Sequence, residues 1–168
     1  MTDSLRIDYS YGAKDLDQIR ALRYEILRKP HGMPESSTHF PEDDENGTLH
    51  LLVQRNGELI GCATLLFNEP HSIQLRGMAV ATVHQGTGIG RGIVSEAMAI
   101  AVHQSKSLWC NARLSAIGFY ARQAWIESGD YFDTPVIGKH IVMTTLSGEA
   151  LRSTPDYPRR SIQDQSRS

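Results

Sequence analysis

The hydrophobic positions of this chain change their period several times, and each change marks an element. Leu16, Ile19, Leu22 and Ile26 recur at helical spacing, so residues 14–28 read as an amphipathic helix. Pro30 stops it, because proline cannot continue the helical ladder. Ahead of it, residues 4–10 suit a short first strand. Behind it, residues 30–47 hold Pro30, Pro34, Pro41, Gly32, Gly47 and the acidic run Glu42 to Glu45. This is a loop with room for one helical turn, long enough to suspect a function. Two apolar runs, 48–55 and 58–67, flank Asn56-Gly57, the strongest short hairpin signal. Residues 71–80 make a third consecutive strand. The period then returns to 3.6: Ile89, Ile93, Ala97 and Ile100 share one face of a helix over 88–103. Residues 108–112 are short and apolar, as a buried parallel strand would be. Residues 114–124 read as a second crossover helix, and 125–132 with 139–146 as a closing antiparallel pair. From about Gly148 the chain turns polar and Arg/Ser/Gln-rich, which reads as a mobile tail.

A meander followed by a strand–helix–strand unit gives a mixed α/β sheet with helices on its faces. The strands at 71–80 and 108–112 should be parallel neighbours joined by a right-handed crossover. The expected organisation is one domain over 1–147 and a tail over 148–168. The 168 residues carry a net charge of −2 with both signs scattered, which gives no reason to expect nucleic acid or an anionic membrane as partner. Cys62 and Cys110 lie in apolar runs without metal-site spacing and read as buried thiols in a reducing compartment. The start Met1-Thr2-Asp3-Ser4 lacks the basic-then-apolar pattern of a signal peptide. No apolar run approaches the roughly 18 residues that span a bilayer. The expectation is a cytoplasmic protein with no metal.

The candidate chemistry concentrates where the third strand of the meander meets the long helix. Met78-Ala79-Val80 ends the strand, and Gln85-Gly86-Thr87-Gly88-Ile89-Gly90-Arg91 opens the helix. Successive N–H groups at a helix start receive an anion such as a diphosphate. Glycine suits such a turn, because no side chain obstructs the approach. The dinucleotide pattern of glycines at one, three and six fails: from Gly86 the third glycine falls on Arg91, and from Gly88 on Ile93. The P-loop fails for want of a Lys followed by Ser or Thr. The remaining structural reading is that the glycines cap a helix packed tightly on a sheet.

Gln85, Gly88 and Gly90 fit Gln-x-x-Gly-x-Gly, and in this the chain resembles the GNAT superfamily of N-acetyltransferases over roughly residues 14–146. The resemblance implies a GNAT-like fold with a mixed sheet of about seven strands. It implies acetyl-coenzyme A as co-substrate, its pyrophosphate held by residues 85–91 and its pantetheine arm between the splayed fourth and fifth strands. By the same resemblance Met78, Ala79 and Val80 line that arm, and the Val80 N–H faces the thioester oxygen. A backbone donor aimed at a developing oxyanion is among the larger catalytic effects. Many members carry a Tyr that protonates the leaving thiolate; here it is Tyr120, which shares a helix face with Ile117 and Ala124. A core tyrosine is the competing reading. Where the family often has Asn before this Tyr and Gly-Phe after it, the chain has Arg113 and Ala124-Trp125. The stretch is more similar to the ElaA-like branch, which leaves open whether Asn111 or Arg113 reaches the coenzyme.

The implied reaction is direct attack by a primary amine in a ternary complex, with no acyl-enzyme. The alternatives are a non-catalytic acyl-coenzyme sensor and a different nucleotide-binding protein. Candidate general bases are Glu25, His39, Asp43, Asp44, Glu69, His71 and His140, with Glu69 and His71 marginally favoured at the start of the fourth strand. The acceptor pocket should involve residues 20–40 and 133–136. The run Glu42 to Glu45 could attract a cationic amine or be a solvated loop. Exposed sheet edges make a homodimer a candidate assembly.

Overall fold

A computed structural model of the chain describes residues 5–145. The tail expected from residue 148 lies outside the described residues. Seven strands, β1 (Asp8–Tyr11), β2 (Leu49–Arg55), β3 (Glu58–Leu66), β4 (Ser72–Val80), β5 (Ser107–Arg113), β6 (Ile126–Thr134) and β7 (Gly138–Thr144), form one sheet in the order β1-β2-β3-β4-β5-β7-β6. Three α-helices accompany it: α1 (Leu16–Arg23), α2 (Ile89–His103) and α3 (Ile117–Ala121). None of the described helices is long and apolar enough to cross a membrane. The fold is the mixed α/β architecture that the sequence pattern predicts.

The sheet buries both faces, each against a different helix. Ile89, Ile93, Val94, Ala97 and Ala101 of α2 pack with Leu51, Leu65, Ile73 and Leu75. Gly61 lets α2 sit close, since a Cβ there would lie 2.9 Å from Ile89. On the other face, Leu16, Ile19 and Leu22 of α1 pack with Leu52, Leu59, Cys62 and Ala79. The helix expected over 14–28 changes type partway. After Arg23 it becomes a π-helical turn, Tyr24–Arg28, and then a 3₁₀ turn, Lys29–His31. A π turn bonds residues five apart, which brings Arg23 and Arg28 to the same buried side. The helix expected over 114–124 is likewise a 3₁₀ turn, Leu114–Ala116, followed by the short α3.

Two irregularities open the middle of the sheet. β4 and β5 are the only parallel neighbours among the described strands, and they pair only at Ser72↔Ser107, Ile73↔Leu108 and Gln74↔Trp109. Beyond Gln74 they diverge, while β5 stays on β7 as far as Arg113↔His140. β4 also bulges: the register with β3 steps from Thr64↔Arg76 to Cys62↔Ala79, so Gly77 and Met78 oppose the single residue Ala63. Gly77 takes a φ of +59° against Arg23 and Phe40, a conformation and a closeness that suit only glycine.

Candidate active site

The gap between β4 and β5 opens into a cavity of about 800 Å³. The glycine turn lies at one end of its lining, Val80, Cys110 and Tyr120 in the middle, and Arg28, Phe40, Arg113 and His140 on the α1 side of the sheet.

At the turn, Gly86 and Gly88 have φ of +75° and +90°, and a Cβ on either would meet nothing within 4 Å. Their glycine identity therefore serves left-handed backbone beside open space, not tight packing. Gly88 is the N-cap of α2, and no side chain caps the helix. The first main-chain bond into the helix runs from the Gly92 N–H to the Gly88 carbonyl at 2.9 Å. The N–H groups of Gly86, Thr87 and Gly88 donate to no acceptor among the described residues. The result is a row of free donors at the positive end of a helix dipole, a fit for a diphosphate. The side chains of the turn face elsewhere. Gln85 Nε2 donates to the Val80 carbonyl at 3.0 Å, Thr87 Oγ1 donates to the His84 carbonyl at 2.5 Å, and Ile89 is core. Arg91 is exposed at the cavity rim.

On β4, the Ala81 N–H donates to the Ile60 carbonyl at 2.8 Å, on the β3 side. Alternation along a strand sends the Val80 N–H the other way, into the gap left by β5. Tyr120 is 6% exposed, edge-on to Phe119 and tilted against Trp125, with the Cys110 thiol beside it. Burial, then the neighbouring cysteine, raises its pKa well above the usual value, so the phenol stays protonated. Burial also pushes the Cys62 thiol up to about 11 and Cys110 up to about 12, so neither offers a thiolate nucleophile. Asn111 lines the cavity, and its buried Oδ1 has no partner among the described residues.

The α1 side of the cavity carries a charge pattern that spacing did not reveal. Three guanidinium groups surround the Phe40 ring: Arg23 at 4.0 Å, Arg76 at 4.9 Å and Arg28 at 5.5 Å. Arg23 is fully buried and holds Asp43 in a bidentate pair at 2.6 and 3.1 Å. It also donates to Thr64 Oγ1 at 2.6 Å, and His50 closes the network through Thr64 and the Asp43 carbonyl. Arg76 pairs with Glu42 at 2.7 Å. The acidic run is therefore neither a lure for a cationic amine nor a solvated loop at these two positions; its first two carboxylates neutralise arginines. The sequence held one signal of this. Arg23 lies four residues after Ile19, on the apolar face of α1, where a charge needs a partner.

The candidate bases separate by position. Glu25 is exposed and pairs with Lys29, Asp43 is consumed by Arg23, and His39, Asp44, Glu69 and His71 do not line the cavity. Glu69 and His71 stand where β4 is still joined to β5, at the closed end of the split. His140 does line the cavity and is 4% exposed. Its Nδ1 lies 2.8 Å from the Gly138 carbonyl, which can only accept, so Nδ1 carries the proton and the neutral ring keeps its lone pair on Nε2. Burial, followed by the Arg113 and Arg28 charges, lowers its pKa below the ordinary 6.5.

With this geometry in place, known proteins supply a frame. The acetyltransferase (GNAT) family model matches residues 14–125. The chain is 36% identical over 129 residues to an uncharacterized N-acetyltransferase, YitI, of Bacillus subtilis, covering 73% of this chain and 85% of that protein. Its fold is similar to the crystal structure of Escherichia coli ElaA, with a TM-score of 0.74 at 17% identity over 84% of this chain and all of that one. It is also similar to a GNAT family acetyltransferase from Elizabethkingia anophelis with acetyl-CoA bound, with a TM-score of 0.62 at 16% identity over 87% of this chain and all of that one. An uncapped glycine turn, a split between two parallel strands and a family model spanning both lead to one conclusion: the chain belongs to the GNAT acetyltransferase family.

Proposed function

We propose that the chain is an N-acetyltransferase that moves an acetyl group from acetyl-coenzyme A to a primary amine by direct attack. The observation that carries this reading is the continuous cavity from the open glycine turn, through the β4–β5 gap, to His140 and the arginines. When bound, acetyl-coenzyme A supplies the activated acyl group as a thioester. Residues 85–91 grip the diphosphate mainly through main-chain N–H groups. Met78, Ala79 and Val80 offer strand backbone to the pantetheine arm, and the Val80 N–H stabilises the oxygen that gains charge as the amine attacks. Asn111 Oδ1 can accept an N–H from the arm or from the amine.

His140 Nε2 takes the proton that the amine loses as the C–N bond forms. The C–S bond breaks, and Tyr120 hands its proton to the departing sulfur. The two buried thiols make a covalent acyl-enzyme unsuitable, which supports the ternary route. Thiol release from acetyl-coenzyme A in the presence of an amine panel tests the activity. Tyr120→Phe should lower kcat more than it raises KM for the coenzyme; equal activity removes Tyr120 from the mechanism. Gly88→Val should weaken coenzyme A binding in calorimetry while the protein stays folded, because a side chain would enter the open space at φ +90°. Unchanged affinity refutes the diphosphate assignment.

A further inference from the structure

Among the described residues, the α1 side of the cavity holds more cations than carboxylates. Arg23 and Arg76 are matched by Asp43 and Glu42. Arg28 and Arg113 are not. Arg28 is only 5% exposed, yet its one hydrogen bond runs from Nε to the Ser37 carbonyl at 3.1 Å, and its terminal nitrogens meet no acceptor among the described residues. Arg113 reaches across from the end of β5, donating to His31 Nε2 at 3.1 Å and to the Leu27 carbonyl at 3.3 Å, both neutral acceptors. Both arginines line the cavity.

The surrounding groups do not supply the missing charge. The Arg28 guanidinium is lowered to about 10 by burial and then by the Arg113 and Arg23 charges, with no carboxylate opposing the shift. His31 and His140 are both shifted down by burial and by these same arginines, so neither is a counter-ion. One buried and one half-buried cation facing a single cavity without an anion are costly unless a ligand completes the arrangement. The diphosphate is not that ligand, because the glycine turn opens α2 on one face of the sheet while Arg28 continues from α1 on the other.

We infer that Arg28 and Arg113 clamp a carboxylate on the acceptor, so that the amine substrate is an amino acid or another amino carboxylate and not a simple alkylamine or a polyamine. The planar guanidinium forks match a carboxylate in two-point contact. With the carboxylate held there, the amine end of the same molecule lies between His140 and the Val80 amide. The reaction balances as for any amine: C–N forms, C–S breaks, one proton leaves nitrogen and one reaches sulfur. The inference rests on the acetyltransferase reading and narrows its substrate class.

The test uses the full chain and a graded set of acceptors. Glycine, β-alanine and γ-aminobutyrate are each compared with the matching amide, and phosphoethanolamine is added as a phosphate-bearing amine. Thiol release gives kcat/KM. The best amino carboxylate should exceed its amide by about 10- to 100-fold. Arg28→Met should erase most of that ratio by raising KM for the carboxylate, while coenzyme A affinity measured by calorimetry holds within about twofold. As a readout independent of turnover, the N-acetyl derivative of the best acceptor should bind the coenzyme A complex more tightly than its N-acetyl amide. Turnover with no preference for the carboxylate, or with phosphoethanolamine preferred, overturns the clamp and leaves the acetyltransferase reading standing. A tenfold loss of coenzyme A affinity in Arg28→Met assigns the arginine to the coenzyme and also overturns the clamp. Absence of both coenzyme binding and turnover overturns the acetyltransferase reading and the clamp with it.

Discussion

Arg23 and Arg28 sit five residues apart, touch the same phenylalanine ring, and live in opposite electrostatic situations. Arg23 has a bidentate carboxylate, a threonine hydroxyl and a carbonyl around it, and no exposure. Arg28 has a carbonyl, two neighbouring cations and a cavity. The first arrangement is balanced in charge without a ligand, with the Arg23 Nε alone left unpartnered among the described residues, and it ties the loop over residues 38–43 to β3. The second is complete only with something negative. Removing the partner of the first charge would strand it in the interior, whereas the second is the charge that the proposed acceptor carboxylate would complete.

The largest effect should come from breaking the complete pair. Asp43→Ala leaves Arg23 buried and alone, and urea denaturation should show a loss of about 3–5 kcal/mol. A loss below 1 kcal/mol would mean water reaches Arg23 and would erase the contrast. Arg28→Met, by comparison, should change stability by no more than about 1 kcal/mol, because the carbonyl bond it forfeits is offset by relief of an unpaired charge.

Acid should weaken the Arg23 network through His50. His50 is held below 6.5, first by burial and also by the Arg23 charge, so between its folded and unfolded pKa values the unfolded chain binds more protons. Its contribution is therefore present above pH of about 6.5 and lost as pH falls through the folded value. The urea midpoint should drop between pH 7.5 and 5.5, and drop less in His50→Gln. The smallest effect is kinetic. Since Arg28 and Arg113 help to lower the His140 pKa, the acid limb of kcat should lie below pH 6.5 and move upward in Arg28→Met. An unmoved limb would place His140 outside the reach of Arg28, or outside the mechanism.

Much of this molecule could be read from its letters. The Asn56-Gly57 hairpin, the apolar stripe of α2 and the glycine turn are local signals, each enforced by backbone geometry within a few residues. Gly86 and Gly88 were legible because positive φ beside open space excludes almost everything else. The split between β4 and β5 was not legible from pattern; it came through family resemblance, because divergence of strands depends on packing far along the chain. The charge order of the α1 side was hidden for a related reason. Arg23 finds Asp43 and Thr64, and Arg113 finds Leu27 and His31, across separations that no spacing rule covers. The switch from α to π helix at Tyr24 gives no hydrophobic signature, yet it decides which way Arg28 faces. His140 went undistinguished among seven acidic and imidazole candidates, since only the tertiary fold puts its ring in the cavity.

Gly77 has a consequence that reaches past its own turn. Ahead of it, Ile73 and Leu75 belong to the layer beneath α2; after it, Ala79 belongs to the α1 layer while Met78 and Val80 pack toward α2. One supernumerary residue swaps odd and even for the remainder of the strand. Without that swap the Val80 amide would be spent on the ladder to β3, and its neighbours' amides would face the gap in its place. A single glycine thus acts as a frameshift in three dimensions, choosing which of the strand's amides look into the gap that β5 leaves.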